Sequence, residues 1–231
     1  MRAVGLAQES APDPDALYSQ REEPARAREA ADIWATRLAS NPKDFEAAWK
    51  RARALYWLGG HGPEASRRRD LEAGTAAGRA AIAIDASRPD GHFWMAANMG
   101  ALAESFGLRQ GIRYRGQIKE ALERVLEIDP AYQQGSADRA LGRWYFKVPG
   151  MFGGSSEKAE FHLNRSLTYN PTSTASLYFL AEVYLDSDRT SEAQTMLQRV
   201  IDAPLHADWA PEDREFKAQA RAALKRIADR G

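Results

Sequence analysis

The sequence predicts an all-α fold, an α-solenoid of helical hairpins with extended loops inside the hairpins and a C-terminal capping helix. Three observations carry this. Apolar residues recur at three- and four-residue steps between turn signals, as at Leu141, Trp144, Tyr145 and Val148. Helix-ending prolines fall at Pro42, Pro89, Pro130, Pro171 and Pro204, at intervals of 47, 41, 41 and 33 residues. Recurrence in this range marks a helical repeat array, and unequal intervals mark a constant unit with inserts of varying length. Near the end, Phe216, Ala220, Ala223, Leu224 and Ile227 share one face, with Arg221, Lys225 and Arg226 outside. A polar-backed last helix is what an open array needs as its cap.

Composition narrows the functional classes. The 231 residues carry 32 Lys+Arg and 32 Asp+Glu, a net charge of zero. General nucleic-acid binding needs a basic excess, so no nucleic-acid partner is expected. No run of about eighteen apolar residues is present, so no membrane span is expected. Cysteine is absent, which excludes disulfides, thiol chemistry and Cys-ligated metals.

In chain order, residues 1–23 are rich in Pro, Ala and Asp and are expected to form a flexible N-terminal segment. Residues 24–231 are expected to form a single domain. The small residues from Arg2 to Gln8 resemble the surroundings of a signal-peptide cleavage site, which suggests a soluble exported, periplasmic protein; a plain flexible terminus is the alternative. The first helix follows Pro24 and buries Ala27, Ala30, Ala31, Trp34 and Leu38. Phe45 to Leu58 is next, with Trp49, Ala52, Leu55 and Tyr56 inward. The Gly59–Pro63 stretch breaks it, and the basic triplet at 67–69 opens, or just precedes, the helix to Asp85 as a solvated face. Gly91 to about Phe106 follows, then an inserted loop from Gly107 to Tyr114, then Ile118 to Ile128. Asp138 to Pro171 makes a hairpin with a glycine-rich insert at 150–154, capped by Ser155 or Ser156. Thr174 to Leu185 pairs with Ser191 to Ile201, and Pro211 to Ile227 is the cap.

These residues resemble a known repeat. Leu180, Ala181, Tyr184, Ala193, Leu197 and Pro204 match the spacing of the tetratricopeptide repeat, whose unit is about 34 residues. Leu141, Gly142, Tyr145, Ala159, Leu163 and Pro171 match with a short insertion. Ala96, Ala97, Gly100, Ile118, Leu122 and Pro130 match with a longer one. The 91–94 run Gly-His-Phe-Trp, Gly100, Glu104, Lys119, Glu120, the 141–145 run Leu-Gly-Arg-Trp-Tyr, Glu212 and Asp213 resemble the regulator-of-microtubule-dynamics family of tetratricopeptide proteins. The long loops are also similar to the T component of periplasmic TRAP transporters. Neither resemblance implies an enzyme. Both imply binding of a protein partner, in some members of a lipid-like ligand.

The residues themselves point away from catalysis. His61, His92, His162 and His206 are scattered, with no zinc-binding spacing. The glycine-rich run at 150–156 lacks the Gly-Lys-Ser/Thr order of a phosphate loop and follows a helix, which makes it a hairpin turn. No Gly-x-Ser-x-Gly is present. No motif asks for a cofactor or a metal.

Binding remains. In such arrays the first helix of each hairpin lines the concave surface. Arg139, Arg143 and Lys147 are spaced four apart on one stripe. Trp94 and Asn98 hold the matching stripe upstream, Tyr178 and Glu182 the one downstream, and Lys50 extends it. A guanidinium fork suits a carboxylate or phosphate. The expectation is a groove with a cationic centre for a protein or peptide partner, acidic in character, or an anionic lipid headgroup. The alternative is internal pairing of these arginines with Glu or Asp of adjacent helices. A second reading takes Phe106, Leu108, Ile112, Tyr114, Met151 and Phe152 as loop residues that close a cavity for a lipid-like ligand, against simple packing on the next hairpin. In a third they form an oligomer interface.

Overall fold

The computed structural model describes residues 12–229, and these form eleven α-helices and no strand. The helices are α1 Pro14–Ser19, α2 Pro24–Ser40, α3 Phe45–His61, α4 Glu64–Ile84, α5 Pro89–Phe106, α6 Leu108–Ile128, α7 Ser136–Lys147, α8 Ser156–Tyr169, α9 Thr174–Asp186, α10 Thr190–Asp202 and α11 Ala210–Ala228. Short 3-10 turns occupy Gly150–Phe152 and Ala207–Trp209.

Each helix packs on the next, and α3, α5, α7, α9 and α11 also pack in sequence on one another. These five therefore form the inner layer of a solenoid whose hairpins are α3/α4, α5/α6, α7/α8 and α9/α10. The predicted all-α solenoid and its terminal cap are what the structure shows. Stops are local. Asn41, Asp129 and Asn170 are extended C-caps directly before Pro42, Pro130 and Pro171, where a proline cannot continue a helix. Pro89 behaves differently. It sits in the first turn of α5 and starts a helix, after α4 has ended at Ile84. Asp44, Ser155 and Ser173 cap α3, α8 and α9 through side-chain oxygens.

The core is a run of small-against-large contacts between hairpin helices. In the α7/α8 pair, Leu141 and Leu163 are fully buried. A Cβ on Gly142 would lie 2.5 Å from Leu163, so the glycine sets the closeness of the two helices. One apolar cluster runs from Ala48 to Ala223, and a second joins α1, α2 and α3 through Leu17, Ala27, Trp34, Leu55 and Trp57.

Two expectations are corrected. The inserted loop at 107–114 is helix: α6 begins at Leu108, and the whole turn is Gly107 with φ +82°. Glycine tolerates that conformation without penalty. Gly111 and Gly116, which look like breakers, face open space inside α6, while Tyr114, Ile118, Leu122 and Val125 supply the buried stripe. The extended insertion that does exist lies between α7 and α8. The flexible segment 1–23 is cut short as well. Residues 1–11, with the export signal read at Arg2–Gln8, lie outside the described residues. From Asp13, whose carboxylate caps α1, the chain is built into the fold: Leu17 and Tyr18 are buried against α2. No described helix is long and apolar enough to cross a membrane.

Candidate partner-binding chamber

The inner helices surround a chamber of about 1120 Å³. Its walls are Trp94 and Ala97 of α5, Arg139 and Arg143 of α7, Phe179 of α9 and Phe216 of α11. Tyr56 of α3 and Tyr18 of α1 face it from the N-terminal side, and Phe152 of the α7–α8 insertion faces it with Ile112 and Arg115 of α6. The surface is mainly aromatic and aliphatic, interrupted by a few charged groups.

The predicted stripe separates into different roles. Arg139 is half-buried on the chamber wall and makes no hydrogen bond or ion pair with any described residue. Loss of hydration lowers its pKa, and the fields of Tyr56, Glu212 and Asp213 only partly offset this. Both acids are engaged elsewhere. Glu212 holds Arg21. Asp213 accepts from the Thr174 hydroxyl at 2.6 Å and the His206 backbone N–H at 2.8 Å.

Arg143 also faces the chamber, but its charge is spent. Its Nε and Nη2 donate to Glu104 at 3.1 and 3.2 Å, and Nη1 donates to Glu182. Its guanidinium lies 4.6 Å over the Phe179 ring. Burial opposes its charge, and the two carboxylates outweigh burial, so its pKa is raised. Glu104 and Glu182 each stand 39 residues from Arg143. That spacing is about one repeat, and it was the available signal for this pairing. Lys147 shares Glu182 at 3.6 Å.

The remaining predicted residues do not form part of one cationic groove. Asn98 is wholly buried. Its amide donates to the carbonyls of Ala52 (3.0 Å) and Trp94 (2.8 Å), which ties α3 to α5. Its periodicity fits the inner stripe, but the small residues around it draw α3 and α4 over it. Trp94 is 3 % exposed and reaches the chamber by one edge, between Phe93 and Tyr56. Tyr178 turns away and packs on Phe179 and Phe216, beside a separate, smaller cleft. Lys50 sits outside the chamber, paired with Asp15 at 2.8 Å and close to Glu46 at 3.6 Å.

Sequence reasoning missed several chamber residues. Tyr56, expected inward, is 40 % exposed and faces the chamber. Gln133, Gln134 and Gly135 all have positive φ, at 44, 58 and 78°, a turn that non-glycine residues enter only under strain. Both glutamines line the chamber, and the Gln133 side-chain Oε1 is buried without a partner among the described residues. Of the residues read as loop closers, Phe152 and Ile112 reach the chamber, Tyr114 is buried and Met151 is 85 % exposed.

The two ends of the solenoid also meet. Arg21, in the α1–α2 turn, donates to both oxygens of Glu212 at 3.2 and 2.6 Å and to the Asp208 carbonyl at 2.7 Å. Its guanidinium rests near the rings of Tyr18 and Trp57. Glu22 pairs with Arg214, and His61 Nε2 lies 2.7 Å from Glu215. His61 also stacks on Trp57 at 3.6 Å.

Comparisons with known proteins agree with this architecture. No curated protein matches the chain. Solved structures do: a thermophilic tetratricopeptide-repeat protein of Thermus thermophilus is 23% identical with a TM-score of 0.68, over 91% of this chain and 97% of that one. MamA is 13% identical with a TM-score of 0.54, over 91% and 99%. At these identities the likeness is one of fold. A tetratricopeptide repeat model matches residues 154–210. The model of regulator of microtubule dynamics protein 1-3 matches residues 13–152, more than half of the chain, so the chain belongs to that family.

Proposed function

We propose that the protein is a non-catalytic scaffold that takes an acidic segment of a protein partner into its central chamber. One observation carries the reading. Arg139 is a half-buried guanidinium on the chamber wall with no acid partner among the described residues, on a helix whose next arginine has two. Holding a charge in that state is costly, and an incoming carboxylate would satisfy it with two parallel hydrogen bonds. The aromatic walls would take the flanking side chains of an extended segment. The tetratricopeptide fold supports protein-interaction scaffolding in general, and an arginine without an acid partner among the described residues favours an anionic one.

The test is binding of a fluorescent library of acidic peptides to the wild type and to Arg139→Ala. Loss of one charge-assisted pair should weaken binding by about ten- to a hundred-fold, with the helical spectrum unchanged. Arg143→Ala should weaken it far less. Equal affinity for wild type and Arg139→Ala would reject the reading.

A second reading is favoured by the size of the chamber. At about 1120 Å³ it exceeds the ordinary small-ligand pocket, and it is walled by Trp94, Phe152, Phe179 and Phe216. A lipid-like molecule would fit there. Native mass spectrometry followed by organic extraction separates the two: a co-purifying apolar molecule in fixed stoichiometry supports this alternative, and a clean mass supports the peptide.

A further inference from the structure

We infer that the seam between the two ends of the solenoid is a gate, held by an ionic clasp, through which the occupant enters the chamber. The inference rests on the chamber reading above.

Tyr18 and Glu212 both line the chamber, and they lie on opposite sides of the seam. The seam is therefore part of the chamber wall. The hydrogen bonds and ion pairs across it join Arg21 to Glu212 and Asp208, Glu22 to Arg214, and His61 to Glu215. Beside the seam itself, the buried apolar residues of α3 and of α11 fall in different clusters. Trp57 and Leu58 belong to the cluster of α1–α3, whereas Ala220 and Ala223 of α11 belong to that of the later helices. Elsewhere in the inner layer neighbouring helices contribute to one apolar cluster. Opening at the seam breaks polar pairs, of which only Arg21 with Glu212 is buried, rather than a shared apolar cluster. Two of the pairs are exposed, and exposed pairs are weak and screened by salt. Arg21 is different: stacked near Tyr18 and Trp57, with its carbonyl accepting from the Trp57 indole at 2.6 Å, it stays on its own side when Glu212 leaves.

His61 makes the clasp responsive to pH. From α11 it faces Glu215 and Glu212, and on α3 it meets the ring and carbonyl of Trp57. Glu64 and Arg67 at the start of α4 pair with each other, and Glu22 and Arg21 in the α1–α2 turn have their own partners. Burial opposes the imidazolium, and the Glu215 carboxylate with the Trp57 carbonyl outweighs it, so the pKa lies above the ordinary histidine value. A raised histidine pKa contributes closure fully below the ordinary value. That contribution is lost as pH rises through the raised one.

The chain has no cysteine, so Gln20→Cys with Ala218→Cys places two unique labels on exposed positions beside the seam and outside every clasp pair. Spin-label distances should be short and narrow at about pH 5.5 in low salt. A longer population should grow at about pH 8.5 and in about 1 M NaCl. His61→Gln should abolish the pH response and keep the salt response. One unchanging distance under all conditions overturns the gate. In a second arm, a short bismaleimide links the two cysteines. Uptake of an acidic probe peptide should slow by at least about tenfold against the doubly capped control. Equal uptake overturns the seam as entrance and leaves the chamber reading intact. If neither form takes up peptide, the acidic-peptide reading fails, while the label distances still decide whether the seam opens.

Discussion

The two sides of α7 are built on different chemistry. Toward α8 it presents Leu141 and Gly142, packed against Leu163 and Ala159, and a buried Asp138 already matched by His162 at 2.8 Å and Arg165 at 3.2 Å. Toward the chamber it presents Arg139, Arg143 and Lys147, of which the first has no partner among the described residues and the other two share carboxylates from α5 and α9. The first side stabilises the hairpin through close packing. The second keeps a charge that no described residue pairs. The difference teaches that stability and binding in this molecule are carried by residues one turn apart, and that they can be changed independently.

Substitutions can break that separation or sharpen it. Leu163→Ala removes the fully buried partner of Gly142 and should destabilise by about 2–5 kcal/mol, read as a shift in the urea midpoint. Asn98→Ala leaves the Ala52 carbonyl and the buried space around it unfilled. A loss of about 1–3 kcal/mol is expected, with no change in peptide selectivity. Arg139→Met should act in the opposite direction. It removes a half-buried charge without a partner among the described residues, so the melting temperature should rise by the equivalent of about 1 kcal/mol while acidic-peptide binding is lost. A fall in stability would show that Arg139 has a structural partner. Arg143→Met should cost less than about 1 kcal/mol, and the cost should shrink with added salt because Glu104 and Glu182 are partly exposed.

Much of the fold was legible because its boundaries are chemically local. An Asx residue before Pro42, Pro130 or Pro171 stops a helix wherever it occurs, and the apolar spacing of α9 and α10 announces their pairing. The α5–α6 turn was not legible. A one-residue turn at Gly107 followed by Gly111 and Gly116 reads as a loop, and only the packing of Tyr114 and Ile118 shows that the helix starts early. The site was legible as a stripe but not as a set of charges. Periodicity places Arg139, Arg143 and Lys147 on one face of α7. Which of them is neutralised depends on Glu104 and Glu182 in the neighbouring repeats. Asn98 went astray for a related reason: small residues around it let three helices converge, and a position read as groove became core.

Open helical-repeat proteins change length readily, since each unit contacts only its neighbours and a repeat can be gained or lost without disturbing the rest. The contact of Arg21 with Glu212, made across 191 residues of sequence, removes that freedom. Duplicating or deleting one hairpin would rotate α11 past the α1–α2 turn and turn a closed ring into an open spiral. The number of repeats is thus part of the molecule's specification, fixed by circumference rather than by stability. Diversity among proteins of this shape is then expected in the residues lining the chamber and in the α7–α8 insertion, with the count of hairpins held constant.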